Sequence, residues 1–449
     1  MRLTIIGGGG FRVPLVYRAL LEDAQTEAPG RCTEVTLYDT DPRRLRVISA
    51  VLSAQAAGVA RAPAVRVATR LEDALRGTDF VFCAIRVGGT AGRVRDERVP
   101  LEAGVLGQET VGAGGVLYGL RTVPVALEIA RRVRETAPEA WVINFTNPAG
   151  MVTEAMSRVL GRRVIGICDS PVGLVRRAAR AVGADPEAVS ADYLGLNHLG
   201  WLRSLTRNGK DLLPDLLEDD AALESFEEGR LFGPEWLRAL GALPNEYLHY
   251  YYFRRETLAA VAAAERTRGE FLQRQQDGFF AEAAEDPLRA PELWERTWRE
   301  REETYLADNR AAGSGGAAAA PGEVPERDAC DLEGGGYDRV ALELMRAIAG
   351  NRRTRLILNV RNCGTVPALP DTAVIETVCE VGSHGAYPVP CVSPGPAELG
   401  LMLQVKAVER ATIEAATTGS RAAALRALAL HPLVDSPAVA SRILAGAGR

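Results

Sequence analysis

The stretch that decides the fold is Arg2-Leu3-Thr4-Ile5-Ile6-Gly7-Gly8-Gly9-Gly10-Phe11-Arg12-Val13-Pro14. A short apolar run, residues 3–6, breaks into four glycines, and a helical pattern starts at once over residues 13–22. Pro14 falls in the first turn of that helix, where a missing N–H breaks no bond. Glycines between a strand and a helix let the backbone turn sharply and approach a pyrophosphate at the positive end of the helix. Counted from Gly7, the third fingerprint position holds Arg12 rather than glycine, so a purely structural tight turn stays open. Residues 35–38 read as the second strand and close on Asp39. A carboxylate there accepts both ribose hydroxyls and repels a 2′-phosphate, which favours NAD over NADP.

Further buried strands are expected at residues 79–85, 141–145 and 164–167, with a helix over 122–135. Apolar runs alternating with helical patterns predict an α/β domain, a doubly wound parallel sheet of the Rossmann type. Beyond it helical patterns dominate, at 212–240, 258–284, 399–417 and 421–430, with strand-like pieces at 355–360 and 374–381. The expected organisation is a dinucleotide-binding domain over 1–170 and a mixed α+β, mostly helical substrate domain over 171–449. A Gly/Ala/Ser-rich stretch at 309–336 buries little apolar area against its ordering entropy, so it reads as a surface loop, either a plain connection or a lid.

Charge and composition exclude several partners. The 449 residues carry 53 Lys+Arg against 58 Asp+Glu, a net charge of −5. That leaves no basic excess to neutralise the phosphates of nucleic acid or of an anionic membrane surface. No apolar run reaches the roughly 20 residues of a spanning helix, and the amino terminus runs into glycine rather than a cleavable apolar segment. Seven dispersed cysteines with no Cys-x-x-Cys pair make no disulfide framework, so a reduced, cytoplasmic protein is expected. Lys210 and Lys406 are the only lysines, and imidazole chemistry must choose among His198, His249, His384 and His431.

Five motifs carry candidate chemistry. Arg86-Val-Gly-Gly, then Gly92-Arg93-Val-Arg-Asp96-Glu97, Gly107-Gln108-Glu109-Thr110 and Gly112-Ala-Gly-Gly115 interleave glycines with charges after a strand's carboxyl end. This pattern suits a ligand-facing loop at the crevice of an open sheet. The Arg93 guanidinium can hold a phosphate or carboxylate in a bidentate fork, the alternative being an Arg–Asp surface network. Asn144-Phe-Thr-Asn147-Pro148 reads as a turn that presents an amide to a cofactor ring or a sugar. Cys168-Asp169-Ser170-Pro171 and Asn197-His198 lie thirty residues apart, which is no metal-finger spacing; each is a core residue or half of a metal pair. Asn245-Glu-Tyr247-Leu-His-Tyr250-Tyr251-Tyr252 packs aromatic rings, or supplies a tyrosine base if a cation lowers its pKa.

In this order, and together with Glu265-Arg-Thr-Arg268 and Val360-Arg-Asn362, these segments resemble glycoside hydrolase family 4, the NAD- and metal-dependent 6-phospho-glycosidases. That family departs from the two-carboxylate scheme of most glycosidases. The resemblance covers nearly the whole chain. It implies that Cys168 and His198 bind Mn2+ or another divalent metal, that Tyr247 is the base and that Asp169 protonates the leaving oxygen. It further implies that Arg93 and Arg268 bind a sugar phosphate, Asn147 the sugar, and Gly7, Gly9, Gly10, Phe11, Arg12 and Asp39 the NAD. Gly10 stands where the family commonly has Ser, and Arg12 crowds the turn.

The implied reaction oxidises carbon 3 of the sugar, removes the carbon 2 proton, eliminates the aglycone, adds water and returns the hydride. The Asn-x-Tyr-Leu-x-Tyr-Tyr segment resembles the 6-phospho-β-glucosidases, whereas Cys168-Asp169-Ser170-Pro171 falls between the Cys-Asp-Met-Pro of the α-enzymes and the Cys-Asn-Val-Pro of the β-enzymes. A phosphorylated sugar is therefore the expected partner, in a homodimer or homotetramer by family analogy. The alternatives are a 6-phospho-α-glucosidase, a relative acting on unphosphorylated sugars, a lactate/malate-type dehydrogenase that shares the fold and the glycine turn, and a cofactor-binding regulator without turnover.

Overall fold

The amino-terminal alternation folds into six parallel strands: β1 (Arg2–Ile6), β2 (Glu34–Tyr38), β3 (Ala64–Val67), β4 (Phe80–Cys83), β5 (Trp141–Asn144) and β6 (Val164–Gly166). Their spatial order β3-β2-β1-β4-β5-β6 is that of a doubly wound dinucleotide-binding sheet. The computed structural model describes residues 1–26, 30–304, 336–434 and 436–448. Most of the Gly/Ala/Ser-rich stretch at 309–336 lies outside them. Among the described residues no helix is long and apolar enough to cross a membrane.

The sheet does not stop at β6. Antiparallel strands β7 (Ser190–Leu196), β8 (Leu199–Arg207), β9 (Lys210–Asp211), β10 (Leu243–Pro244), β11 (Thr354–Arg361), β12 (Val374–Gly382) and β13 (Gly385–Pro388) extend it to thirteen strands. The order continues β6-β11-β12-β7-β8-β10, with Asn359 of β11 paired to Gly166 of β6. Sequence reading finds β11 and β12 but misses β3, a mostly exposed edge strand, and the β7–β8 hairpin. The hairpin turns through only Asn197 and His198, with Leu196 opposite Leu199. His198 takes a left-handed φ of 61°, unusual for a residue with a side chain.

Helices remote in sequence roof the glycine turn. The Phe11 ring packs edge-on against Phe279 at 5.4 Å, and the buried Trp294 donates its indole N–H to the Phe11 carbonyl at 2.8 Å. These partners come from helices Arg268–Glu285 and Ala290–Glu303. One core therefore joins residues from both sides of position 170. The helix expected over 122–135 spans Gly112–Thr136, and that over 212–240 is broken into Leu213–Glu218, Asp220–Glu224, Glu227–Phe232 and Pro234–Leu240.

The glycines at 112–115 are thus helical, not a ligand-facing loop. A Cβ at Gly114 would overlap the Gln108 carbonyl oxygen and one at Gly115 that of Thr110, so these glycines let the Gln108–Thr110 segment press against the helix. The same holds for the hairpin, where a Cβ at Gly195 would overlap the backbone of Leu199 and Gly200. Gly195→Ala should therefore cost about 1–3 kcal/mol in urea unfolding, as overpacking does. Gly400→Ala, in the helix Pro396–Thr418 with nothing within 4 Å of a new Cβ, should gain about 0.5–1 kcal/mol. Equal effects at the two positions would contradict this packing.

Candidate active site

Strand ends β1, β4, β5 and β6, the hairpin turn and the roofing helices enclose a cavity of about 220 Å3. Gly10, Phe11, Arg12, Arg93, Asn147, Cys168, Asp169, His198, Tyr247 and Arg268 all line it. Gly7, Gly9 and Asp39 do not; they build the turn from behind. Gly7 and Gly8 donate to the Tyr38 carbonyl at 2.9 and 2.8 Å, and Gly9 donates to Asp39 Oδ2 at 2.9 Å. The second Asp39 oxygen accepts the Asp41 N–H at 3.0 Å.

Cys168 and His198 arrive by different routes. Cys168 follows β6 and is buried, as is His198 at the tip of the hairpin. Burial pushes the thiol well above its ordinary pKa, and the neighbouring Glu376 and Asp169 charges push the same way. Binding a cation there must displace the thiol proton. Burial lowers His198 to about 3, so its imidazole is neutral. Its ring stacks on Tyr247 with centroids 3.6 Å apart and planes within 2°, and its Nδ1 lies 2.8 Å from Thr110 Oγ1. A thiolate and a neutral imidazole suit a divalent transition-metal ion. Among the described residues no group of three or more His, Cys, Asp or Glu side chains gathers to hold one.

Sequence reasoning misses what lies beneath this pair. Gly166, Asn359, Glu376 and Gly195 stand side by side across β6, β11, β12 and β7. Glu376 is buried and accepts from Asn359 Nδ2 at 2.7 Å, Asn197 Nδ2 at 3.1 Å and Tyr193 Oη at 3.2 Å. Burial raises its carboxyl to about 7. The signal was present in Val374-Ile-Glu-Thr-Val: one carboxylate in an otherwise apolar buried strand needs partners.

Arg93 sits in a buried network rather than a surface one. Its Nε donates to Glu97 Oε1 at 2.8 Å, and it pairs with Glu109, which also takes Arg86 in a fork at 3.0 and 3.2 Å. Burial alone would raise Glu109, but the two guanidiniums outweigh it and hold the carboxyl below the usual range. Arg268 donates to Thr304 Oγ1 at 2.6 Å and to the Arg301 carbonyl at 2.9 Å. Arg301, absent from the sequence reading, also lines the cavity; burial lowers it to about 9, and the nearby Arg12 and Arg268 charges contribute. Guanidiniums converging on one cavity wall favour an anionic ligand. Asn147 precedes a cis peptide to Pro148, and its Oδ1 accepts the Ala149 N–H at 3.2 Å.

The buried histidines set an acid limit. His198, His249 and His431 are lowered to about 3, 4 and 3 by burial. In the unfolded chain each titrates near ~6.5. As pH falls below that value the unfolded chain takes up protons that the folded chain refuses, so stability drops toward pH ~4. His249→Gln should lower the proton uptake on unfolding by about one between pH ~6 and ~4.5. Urea unfolding of both chains across that range checks this, and identical slopes would refute it.

Residues 2–184 match the model for the family 4 glycosyl hydrolases, and residues 193–434 that for their C-terminal domain. The chain is 33% identical to a 6-phospho-beta-glucosidase of Escherichia coli over 352 residues, 76% of this chain and 70% of that one. It is 31% identical to a 6-phospho-alpha-glucosidase of Leptotrichia buccalis over 433 residues, 92% of this chain and 89% of that one. The fold superimposes on the 6-phospho-beta glucosidase of Thermotoga maritima, solved with manganese, NAD+ and glucose-6-phosphate. That match has a TM-score of 0.81 at 27% identity and covers 100% of this chain and 97% of the other. With both halves matched from residue 2 to residue 434, the chain belongs to the family 4 glycosyl hydrolases.

Proposed function

We propose that this chain hydrolyses 6-phospho-β-glucosides and uses NAD+ and a divalent metal, Mn2+ foremost, as catalytic cofactors. The observation that carries this reading is a single cavity shared by the glycine turn, the Cys168/His198 donors and Tyr247, whose ring lies flat on His198. The Thermotoga relative, of the same fold, was solved with both cofactors and a sugar phosphate.

Bound NAD+ and metal supply a hydride acceptor and a Lewis acid. The chain's own residues do the rest. Gly7, Gly9, Gly10, Phe11 and Arg12 shape the approach of a pyrophosphate to the helix Val13–Ala24, and Asp39, already anchored on Gly9, takes the ribose. Cys168 and His198 hold the metal. Tyr247 removes the carbon 2 proton through its phenolic oxygen, and Asp169 gives a proton to the departing glycosidic oxygen. Arg93, Arg268 and Arg301 receive the sugar phosphate, and Asn147 orients the sugar. A site that needs a free thiol suits a reducing cytoplasm.

A second reading, a 6-phospho-α-glucosidase, is favoured by Asp169 after the cysteine and by the Leptotrichia relative. A panel of α- and β-glucosides with and without 6-phosphate separates the two. The expected result is cleavage of the 6-phospho-β-glucoside, lost with chelator and regained with Mn2+, without net NADH, and with solvent deuterium at carbon 2. Tyr247→Phe should lower kcat by about 10²–10⁴ while sparing NAD+ affinity. Stoichiometric NADH, or cleavage indifferent to chelator and to NAD+ removal, would overturn the proposal.

A further inference from the structure

Gln108 and Thr110 have no role in the reaction described above, yet they form a hydrogen-bonded chain that ends on His198. The Gln108 side-chain oxygen accepts the Thr110 N–H at 2.6 Å and the Val111 N–H at 2.8 Å, and it lies 3.1 Å from Thr110 Oγ1. Backbone amides only donate, so the atom facing them is the amide oxygen and not the nitrogen. That oxygen has no proton to give, so in the 3.1 Å contact between the two oxygens the Thr110 hydroxyl is the donor. What Thr110 Oγ1 offers His198 Nδ1, 2.8 Å away, is therefore a lone pair. Only a protonated Nδ1 makes a hydrogen bond there. An imidazole that offers a lone pair to a cation carries a single ring proton, so with that proton on Nδ1 it is Nε2 that is bare.

We propose that Gln108 and Thr110 are positioning residues that hold His198 as its Nδ1–H tautomer and so present the Nε2 lone pair to a divalent cation. This rests on His198 being a metal ligand. Two constraints act at right angles: the flat stack on Tyr247 sets the ring plane, and the bond to Thr110 sets the rotation within it. The left-handed turn at His198 sets where the ring begins. Gly114 and Gly115 serve the same end, because their missing Cβ atoms let the Gln108–Thr110 segment lie against the following helix.

The test uses the full chain, metal-free and labelled with 15N-histidine. Only four histidines contribute, and His198→Asn identifies the signals of His198. Long-range 1H–15N spectra should show a protonated Nδ1 and a pyridine-type Nε2 in the parent, in Thr110→Ser and in Gln108→Glu, which keeps an accepting oxygen. Thr110→Val should show the reverse tautomer and bind Mn2+ about 10–100-fold more weakly by direct titration. Its NAD+ affinity should equal that of the parent, a result that also reports an intact fold. A parent chain that binds Mn2+ yet carries its proton on Nε2 overturns this proposal alone, as does a Thr110→Val chain that keeps the parent tautomer and Mn2+ affinity. A parent chain with the expected tautomer that takes up no Mn2+ overturns the metal reading, and the purpose assigned here to Gln108 and Thr110 with it.

Discussion

The carboxylate of Glu376, buried within a thirteen-stranded sheet, is the interaction on which the site depends. Taking an ionisable group out of water is costly, and here three donors from β7, the hairpin turn and β11 offset that cost. Glycines at Gly166 and Gly195 flank the row, so Asn359 and Glu376 have neighbours without side chains on either side. Two residues beyond Gly166 comes Cys168, and two beyond Gly195 comes Asn197, which Glu376 holds directly. The pair proposed to bind metal is thus carried by one transverse row of the sheet, although its members lie thirty residues apart in the chain.

A second buried system, of arginines and glutamates, borders the same cavity. Glu109 neutralises Arg86 and Arg93 together, and Glu97 fixes Arg93 along its own helix Gly89–Glu102. Arg301 lies buried close to Arg12 and Arg268, and burial first, then these like charges, lower its affinity for a proton. An anion entering beside these guanidiniums relieves like-charge repulsion. Tyr247 and His198 stack within the same cavity.

Much of this was legible beforehand. Five of the six parallel strands were readable because buried parallel strands are short apolar runs bounded by glycine and charge; the exposed edge strand β3 carries no such run. Ten of the thirteen residues expected at the site line one cavity, and the other three build the turn behind it. The β7–β8 hairpin was not read, since Asn197-His198 lacks the glycine that usually marks a two-residue turn and Glu376 supplies the restraint from β12 instead. The glycines at 112–115 were read as a binding loop because composition alone does not separate a glycine that faces a ligand from one that admits a neighbouring backbone. Arg301 went unread because an arginine on a charged amphipathic helix looks like solvated surface until its neighbours are known.

The sequence by itself determined the strand–glycine–helix start, the parallel order that follows it, and the family to which the chain belongs. Those features are written in local periodicity and in runs of adjacent residues. Only the tertiary structure decided which arginines face the cavity, that Glu376 supports the hairpin, and that Thr110 meets the His198 ring. Each of these depends on hydrogen bonds and burial between residues far apart in the chain, and such partners exist only once the sheet has brought them into register.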